Sequence, residues 1–129
     1  MSEYMYIGTY TNKGKGIYIY KINNNGQDIK FLGFNNNGEN PSYLKIHPEK
    51  PWLYAVNEVS QFRGENSGAV SFYKIDEGSG NLKFINQEST LGSGSCYVSM
   101  DQTGNYLLVA NYVGGSIAIL PINKDGSIK

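Results

Sequence analysis

The chain is written as short apolar runs broken by polar turn clusters. "GIYIYKI" (16–22) and "AVSFYKI" (69–75) alternate or run apolar over about seven positions, as buried strands do. No stretch keeps its apolar residues at helical spacing, so no helix is predicted. "NNNGQ", "HPEKP", "DEGSGN", "DQTGN" and "NKDGS" gather Gly, Pro, Asn and Asp between runs and predict tight hairpin turns.

The runs recur. "PSYLKIHPEKPWLYAVNE" (41–58) aligns without a gap on "SCYVSMDQTGNYLLVANY" (95–112), setting Tyr43 on Tyr97, Leu53 on Leu107 and Asn57 on Asn111. "GAVSFYKI" (68–75) then falls on "GSIAILPI" (115–122). An earlier copy holds "YMYIGTY" (4–10) and "GIYIYKI" (16–22). The period is roughly 50 residues, in the range of propeller blades. In the middle unit, four strands are expected at about 42–47, 52–58, 68–75 and 82–88. The predicted fold is therefore all-β: about two and a half four-stranded antiparallel β-propeller blades. They comprise an incomplete blade at 1–40, a complete one at 41–93 and an incomplete one at 94–129. A Greek-key sandwich is the alternative, but it does not predict a gapless repeat. Propeller rings need at least about four blades. The chain thus reads as the N-terminal portion of a longer protein, its open sheet edges covered by remaining blades or by other copies.

The tight turns share one face. "TNKGK", "EVSQFRGENS", "VGG", "NNNGENP" and "TLGSGS", more variable in length, lie on the other, where binding groups are expected. The second strands end there on Thr9 and Tyr10, on Asn57 and Glu58, and on Asn111 and Tyr112. Asn57, Asn111, Tyr112, Tyr10 and Arg63 are the expected substrate-binding residues of a channel rim. Either Asn can instead cap backbone groups of neighbouring strands. Glu58 is the one carboxylate at these strand ends and the one candidate for catalysis. Arg63 follows in the same loop, so the two predict an ion pair that orders the loop, or a general base with a ligand-orienting partner.

The remaining chemistry-bearing residues read as structural. His47, the sole histidine, enters a turn on the opposite face. Cys96 aligns with Ser42 and needs only to be small. "NKGKG" (12–16) lacks the spacing and following hydroxyl of a P-loop, and leaves Lys13 and Lys15 as phosphate anchors of last resort. Trp52 and Tyr106 align at strand starts and predict packing between blades.

Charge narrows the partners. Eleven basic residues balance eleven acidic ones, and Arg63 is the only Arg, which excludes a nucleic-acid reader or an anionic membrane partner. No run approaches a membrane span, the start lacks a signal peptide, and a single cysteine suits a reducing, cytoplasmic compartment.

"YIGTYT" (6–11), "NPSYLKIHPEKPWLYAVNE" (40–58), "GAVSFYKID" (68–76), "GSCYVSMDQTGNYLLVANYVGGSIAILPI" (94–122) and "DGSIK" (125–129) resemble the opening blades of the seven-bladed lactonase family. The family includes bacterial propeller-type 6-phosphogluconolactonases and fungal carboxymuconate-lactonizing enzymes. The resemblance implies hydrolysis of a phosphorylated sugar lactone in the oxidative pentose phosphate route, with no organic cofactor. It also implies that the family's His and Arg cluster lies beyond these residues, and that the 129-residue chain is inactive alone. The alternatives are a non-catalytic binding or scaffold propeller and a muconate-lactonizing relative. A metal-dependent sugar lactonase ranks last, because it needs several carboxylates at the mouth and only Glu58 is offered.

Overall fold

The computed structural model describes residues 3–129. Ten strands form three antiparallel sheets, each a meander of consecutive strands. The first holds β1 (Glu3–Ile7), β2 (Ile17–Asn23) and β3 (Asp28–Asn35). The second holds β4 (Leu44–Ile46), β5 (Trp52–Asn57), β6 (Ala69–Ile75) and β7 (Leu82–Ser89). The third holds β8 (Ser95–Met100), β9 (Tyr106–Asn111) and β10 (Ser116–Pro121), followed by a bridge between Ile122 and Ile128.

The middle sheet answers to the four predicted strands with one difference. Its first strand is shorter, because Ser42 N–H donates to Asn40 O within a turn rather than to the ladder. The repeat extends to its irregularities. The β2–β3 ladder slips between Ile19 and Tyr20, and the β6–β7 ladder between Phe72 and Tyr73. Both slips immediately precede the shared "YKI", so each outer hairpin is twisted at the same point.

Sheets stack face to face. Side chains along β5 point alternately to the two sides, and both sides are covered. Leu53 and Ala55 meet Ile17 and Ile19 of the first sheet. Tyr54 and Val56 meet Val98, Leu107 and Val109 of the third. That explains why "LYAV" is a continuous apolar run while β9 alternates: only one face of β9 is covered, by Leu107 and Val109. Its other face leaves Tyr106 45% and Leu108 38% exposed, so Trp52 packs between sheets as expected whereas Tyr106 does not. The first sheet is likewise open on the side of Phe31 and Phe34.

Each junction is fastened by the same polar contact. Tyr6 on β1 donates its hydroxyl to Gly80 O, 2.7 Å, in the turn before β7. Tyr54, equivalent to Tyr6, donates to Gly126 O, 2.7 Å, in the corresponding turn of the third unit. Gly126 has φ +93°, and a Cβ there would stand 2.6 Å from the Phe72 ring and 2.7 Å from Trp52, so only glycine lets the turn seat against the aromatics. Outer-strand asparagines add a second tie: Asn86 donates to Ile128 O, 2.8 Å, and accepts from Ile128 N–H.

Two outcomes follow for stability. Tyr54→Phe leaves the buried Gly126 carbonyl unpaired and is expected to cost about 1–3 kcal/mol in denaturant unfolding. Burial, the first cause, pushes the Tyr6 and Tyr73 phenols up to about 12 and Tyr54 higher still. An unfolded chain ionises them near pH 10. Their contribution is therefore complete below pH 10 and is lost as the pH climbs toward about 12, a decline that unfolding curves taken across that window should show.

Candidate functional site

The asparagines that end the second strands are buried, and their amides are engaged by the chain itself. Asn57 Oδ1 accepts from Ser71 Oγ at 2.7 Å and Gln87 Nε2 at 2.9 Å, while its Nδ2 donates to Glu39 O at 2.7 Å. Asn111 repeats the role: Oδ1 accepts from Ser95 Oγ, 2.7 Å, and Nδ2 donates to Thr90 O and Ser116 Oγ, both 3.2 Å. Each draws the incoming inter-sheet loop onto the sheet. Gly38 passes so close above Asn57 that a Cβ would lie 2.6 Å from Nδ2. Thr9, the third equivalent, holds its own loop by donating to Gly16 O and accepting from Gly16 N–H.

One residue further on, the side chains turn outward and a polar cluster forms across the first junction. Glu58 Oε1 accepts from Ser42 Oγ at 2.7 Å and from Tyr10 Oη at 2.9 Å. Tyr10 is 54% exposed. Its phenol is pushed above the ordinary value, first by the hydrogen bond to Glu58 and then by the carboxylate charge.

Asn40, which sequence reasoning missed, holds this cluster together. Its Oδ1 accepts from Thr11 N–H, 2.8 Å, and Thr11 Oγ1, 3.0 Å; its N–H donates back to Thr11 Oγ1. Its Nδ2 donates to Glu58 O, 3.1 Å, and its carbonyl accepts from the N–H groups of Ser42 and Glu58. Asn40 thus joins the loop after β1 to the end of β5. It does so at φ +45°, a left-handed conformation that Asn tolerates better than most residues. "NP" before a strand was the available signal.

The expected Glu58–Arg63 ion pair is absent. Arg63 sits at a tight turn (φ +51°), lies over the Phe62 ring, donates to Gln87 O at 2.9 Å and pairs with Glu88 at 3.6 Å. The turn directs the guanidinium toward β7, which is why the nearer residue in sequence loses it. Tyr112, just after β9 of the third sheet, is 81% exposed, beside Val113 at 68%. His47 accepts at Nδ1 from the N–H groups of Glu49 and Lys50 and stands edge-on to Trp52, closing its turn. Its counterpart Asp101 accepts from the N–H groups of Asn105 and Tyr106 and from the Thr103 hydroxyl; the hydroxyl bond is the first cause holding its carboxyl below the usual range. Cys96 is half-buried. Lys15 lies over Phe34, 5.3 Å from its centroid. Among the described residues, no three His, Cys, Asp or Glu gather as metal ligands.

This geometry makes Glu58 the main cause of the raised Tyr10 phenol. Glu58→Gln is expected to move the ionisation of Tyr10 to lower pH, read as the tyrosinate absorbance that Tyr10→Phe removes. An unmoved titration contradicts the pairing.

Comparison with known proteins gives one consistent answer. The family model described as "Lactonase, 7-bladed beta-propeller" matches residues 4–129. The 6-phosphogluconolactonase of Bacillus subtilis is 30% identical over the whole chain, which covers 36% of that protein. The crystal structure of a candidate 6-phosphogluconolactonase from Bacteroides fragilis superimposes with a TM-score of 0.88 at 34% identity, over 99% of this chain and 34% of the other. The periplasmic gluconolactonase of Pseudomonas aeruginosa superimposes with a TM-score of 0.83 at 33% identity, over 100% of this chain and 37% of the other. The chain spans about a third of the length of each. With three stacked sheets in blade order and a match running nearly end to end, the chain belongs to the seven-bladed β-propeller lactonase family.

Proposed function

We propose that the chain supplies three blades, and one sector of the channel mouth, to a propeller that hydrolyses 6-phosphogluconolactone to 6-phosphogluconate. The observation that carries this reading is the family match over residues 4–129, joined to relatives of that name. Further blades cover the apolar faces left open at Phe31 and Phe34 and at Tyr106 and Leu108. In this reading Tyr10, Glu58 and Tyr112 line the rim, Asn57 and Asn111 fix its shape from beneath, and Arg63 orders the loop beside it.

Lactone hydrolysis needs an activated water, donors for the developing oxyanion and, for this substrate, a cation for the phosphate. The three blades offer one carboxylate at the mouth, and their one Arg is engaged by Glu88. The remaining blades supply the rest. A cytoplasmic location belongs to the proposal on the strength of the single cysteine. Among the described residues no helix is long and apolar enough to cross a membrane, and the Pseudomonas neighbour of the same fold is a periplasmic gluconolactonase.

The test is hydrolysis of 6-phosphogluconolactone by the protein with its full set of blades, followed as proton release above the spontaneous rate. Acceleration by the full ring and none by residues 1–129 alone is expected. A full ring that leaves the spontaneous rate unchanged contradicts the reading, as does turnover by the 129-residue chain.

A further inference from the structure

Within the cluster at the first junction, the two oxygens of Glu58 differ. Oε1 holds the hydroxyl hydrogens of both Tyr10 and Ser42. Oε2 has no partner among the described residues. The one buried side-chain oxygen or nitrogen there without a partner is Tyr73 Oη, so Oε2 of the half-buried Glu58 keeps some contact with solvent. Tyr10 Oη has given its hydrogen to Glu58, has the Ser42 hydroxyl beside it, and on a half-exposed side chain retains a lone pair for an incoming donor.

The exposed side of the cluster therefore presents acceptors, Glu58 Oε2 and Tyr10 Oη, with the hydroxyl hydrogens of both Tyr10 and Ser42 turned inward. A carboxylate with an adjacent phenol oxygen suits a ligand bearing hydroxyl donors on neighbouring carbons. It disfavours a phosphate, which brings negative charge and acceptors only. Among the described residues no cation stands within ion-pair distance of Glu58 to offset that repulsion, and the Arg of the next loop is held by Glu88 and Gln87.

We propose that Glu58 and Tyr10 form a hydroxyl-reading subsite at the junction of the first two blades. It binds the polyol ring of the lactone and turns the phosphate toward the opposite side of the channel. The inference rests on the lactonase reading above and adds to it a substrate orientation and a role for Glu58 other than general base. The subsite belongs to the rigid part of the mouth, because Asn40 ties Glu58 and the Tyr10 loop to the same side chain.

The experiment uses the full-length protein and its Glu58→Gln and Tyr10→Phe variants, with two lactones that differ only in phosphate: 6-phosphogluconolactone and gluconolactone. Loss of a charge-assisted hydrogen bond is expected to raise KM by about 10–100-fold in Glu58→Gln. The factor should be the same for both lactones, with kcat and the pH–rate profile unchanged. Tyr10→Phe, at an exposed position that tolerates the change, should raise KM by a smaller factor on both. A penalty confined to the phosphorylated lactone overturns the proposal, and so does a fall in kcat with loss of one limb of the pH profile. Binding of 1,5-anhydroglucitol, a neutral ring that cannot be hydrolysed, is measured in parallel by NMR saturation transfer. If the wild type hydrolyses neither lactone, the lactonase reading fails and this measurement decides the subsite alone. Binding weakened by Glu58→Gln upholds it, and binding absent or indifferent to the substitution overturns it.

Discussion

Everything in this structure depends on the middle sheet being buried on both of its faces. A single β-sheet with one covered face holds together poorly at this size. Here Leu53 and Ala55 lie against the first sheet while Tyr54 and Val56 lie against the third, so one six-residue strand serves two cores. The junction contacts fix how the sheets meet. Tyr6 on Gly80 O and Tyr54 on Gly126 O are each buried or partly buried bonds between residues about 70 positions apart. They set the angle and height of one blade on the next, which dispersion between apolar faces alone leaves loosely defined.

The proposed mouth inherits that geometry. Glu58 follows the last residue of β5 directly, Tyr10 follows the first sheet's equivalent strand, and Ser42 and Asn40 lie on the connection between the two sheets. None of the four belongs to the same hairpin as all the others, so the cluster exists only when the first two sheets are stacked. Fold stability and the proposed subsite are linked through that junction, because a loosened stack separates Tyr10 from Glu58.

The repeat made the architecture legible. A gapless alignment of residues 41–58 on 95–112 located the strands, the tight turns and the side of the molecule on which the second strands end. Side-chain direction was the part it withheld. Asn57 and Asn111 were placed correctly at the strand ends, yet which way their amides faced depended on Gly38 and Gly92, whose missing side chains let the loops descend onto them. Arg63 misled for a similar reason: proximity to Glu58 in sequence said nothing of the left-handed turn that swings it to Glu88. Asn40 was hidden in "NNNGENP", read only as one of the variable connectors, because its importance lies in contacts to residues on both sides of a junction that no local pattern records. Tyr106 aligned with Trp52, but the repeat could not tell a covered face from an open one.

A family model spanning residues 4–129 identifies the scaffold, and the acceptors of Glu58 and Tyr10 carry the proposed reading of its mouth. The most direct measurement is a crystal structure of the complete propeller with 6-phosphogluconate bound. The account predicts two ligand hydroxyls within hydrogen-bond distance of Glu58 Oε2 and Tyr10 Oη, with the phosphate across the channel. A phosphate seated beside Glu58, or a ligand bound at the opposite face of the ring, would contradict it.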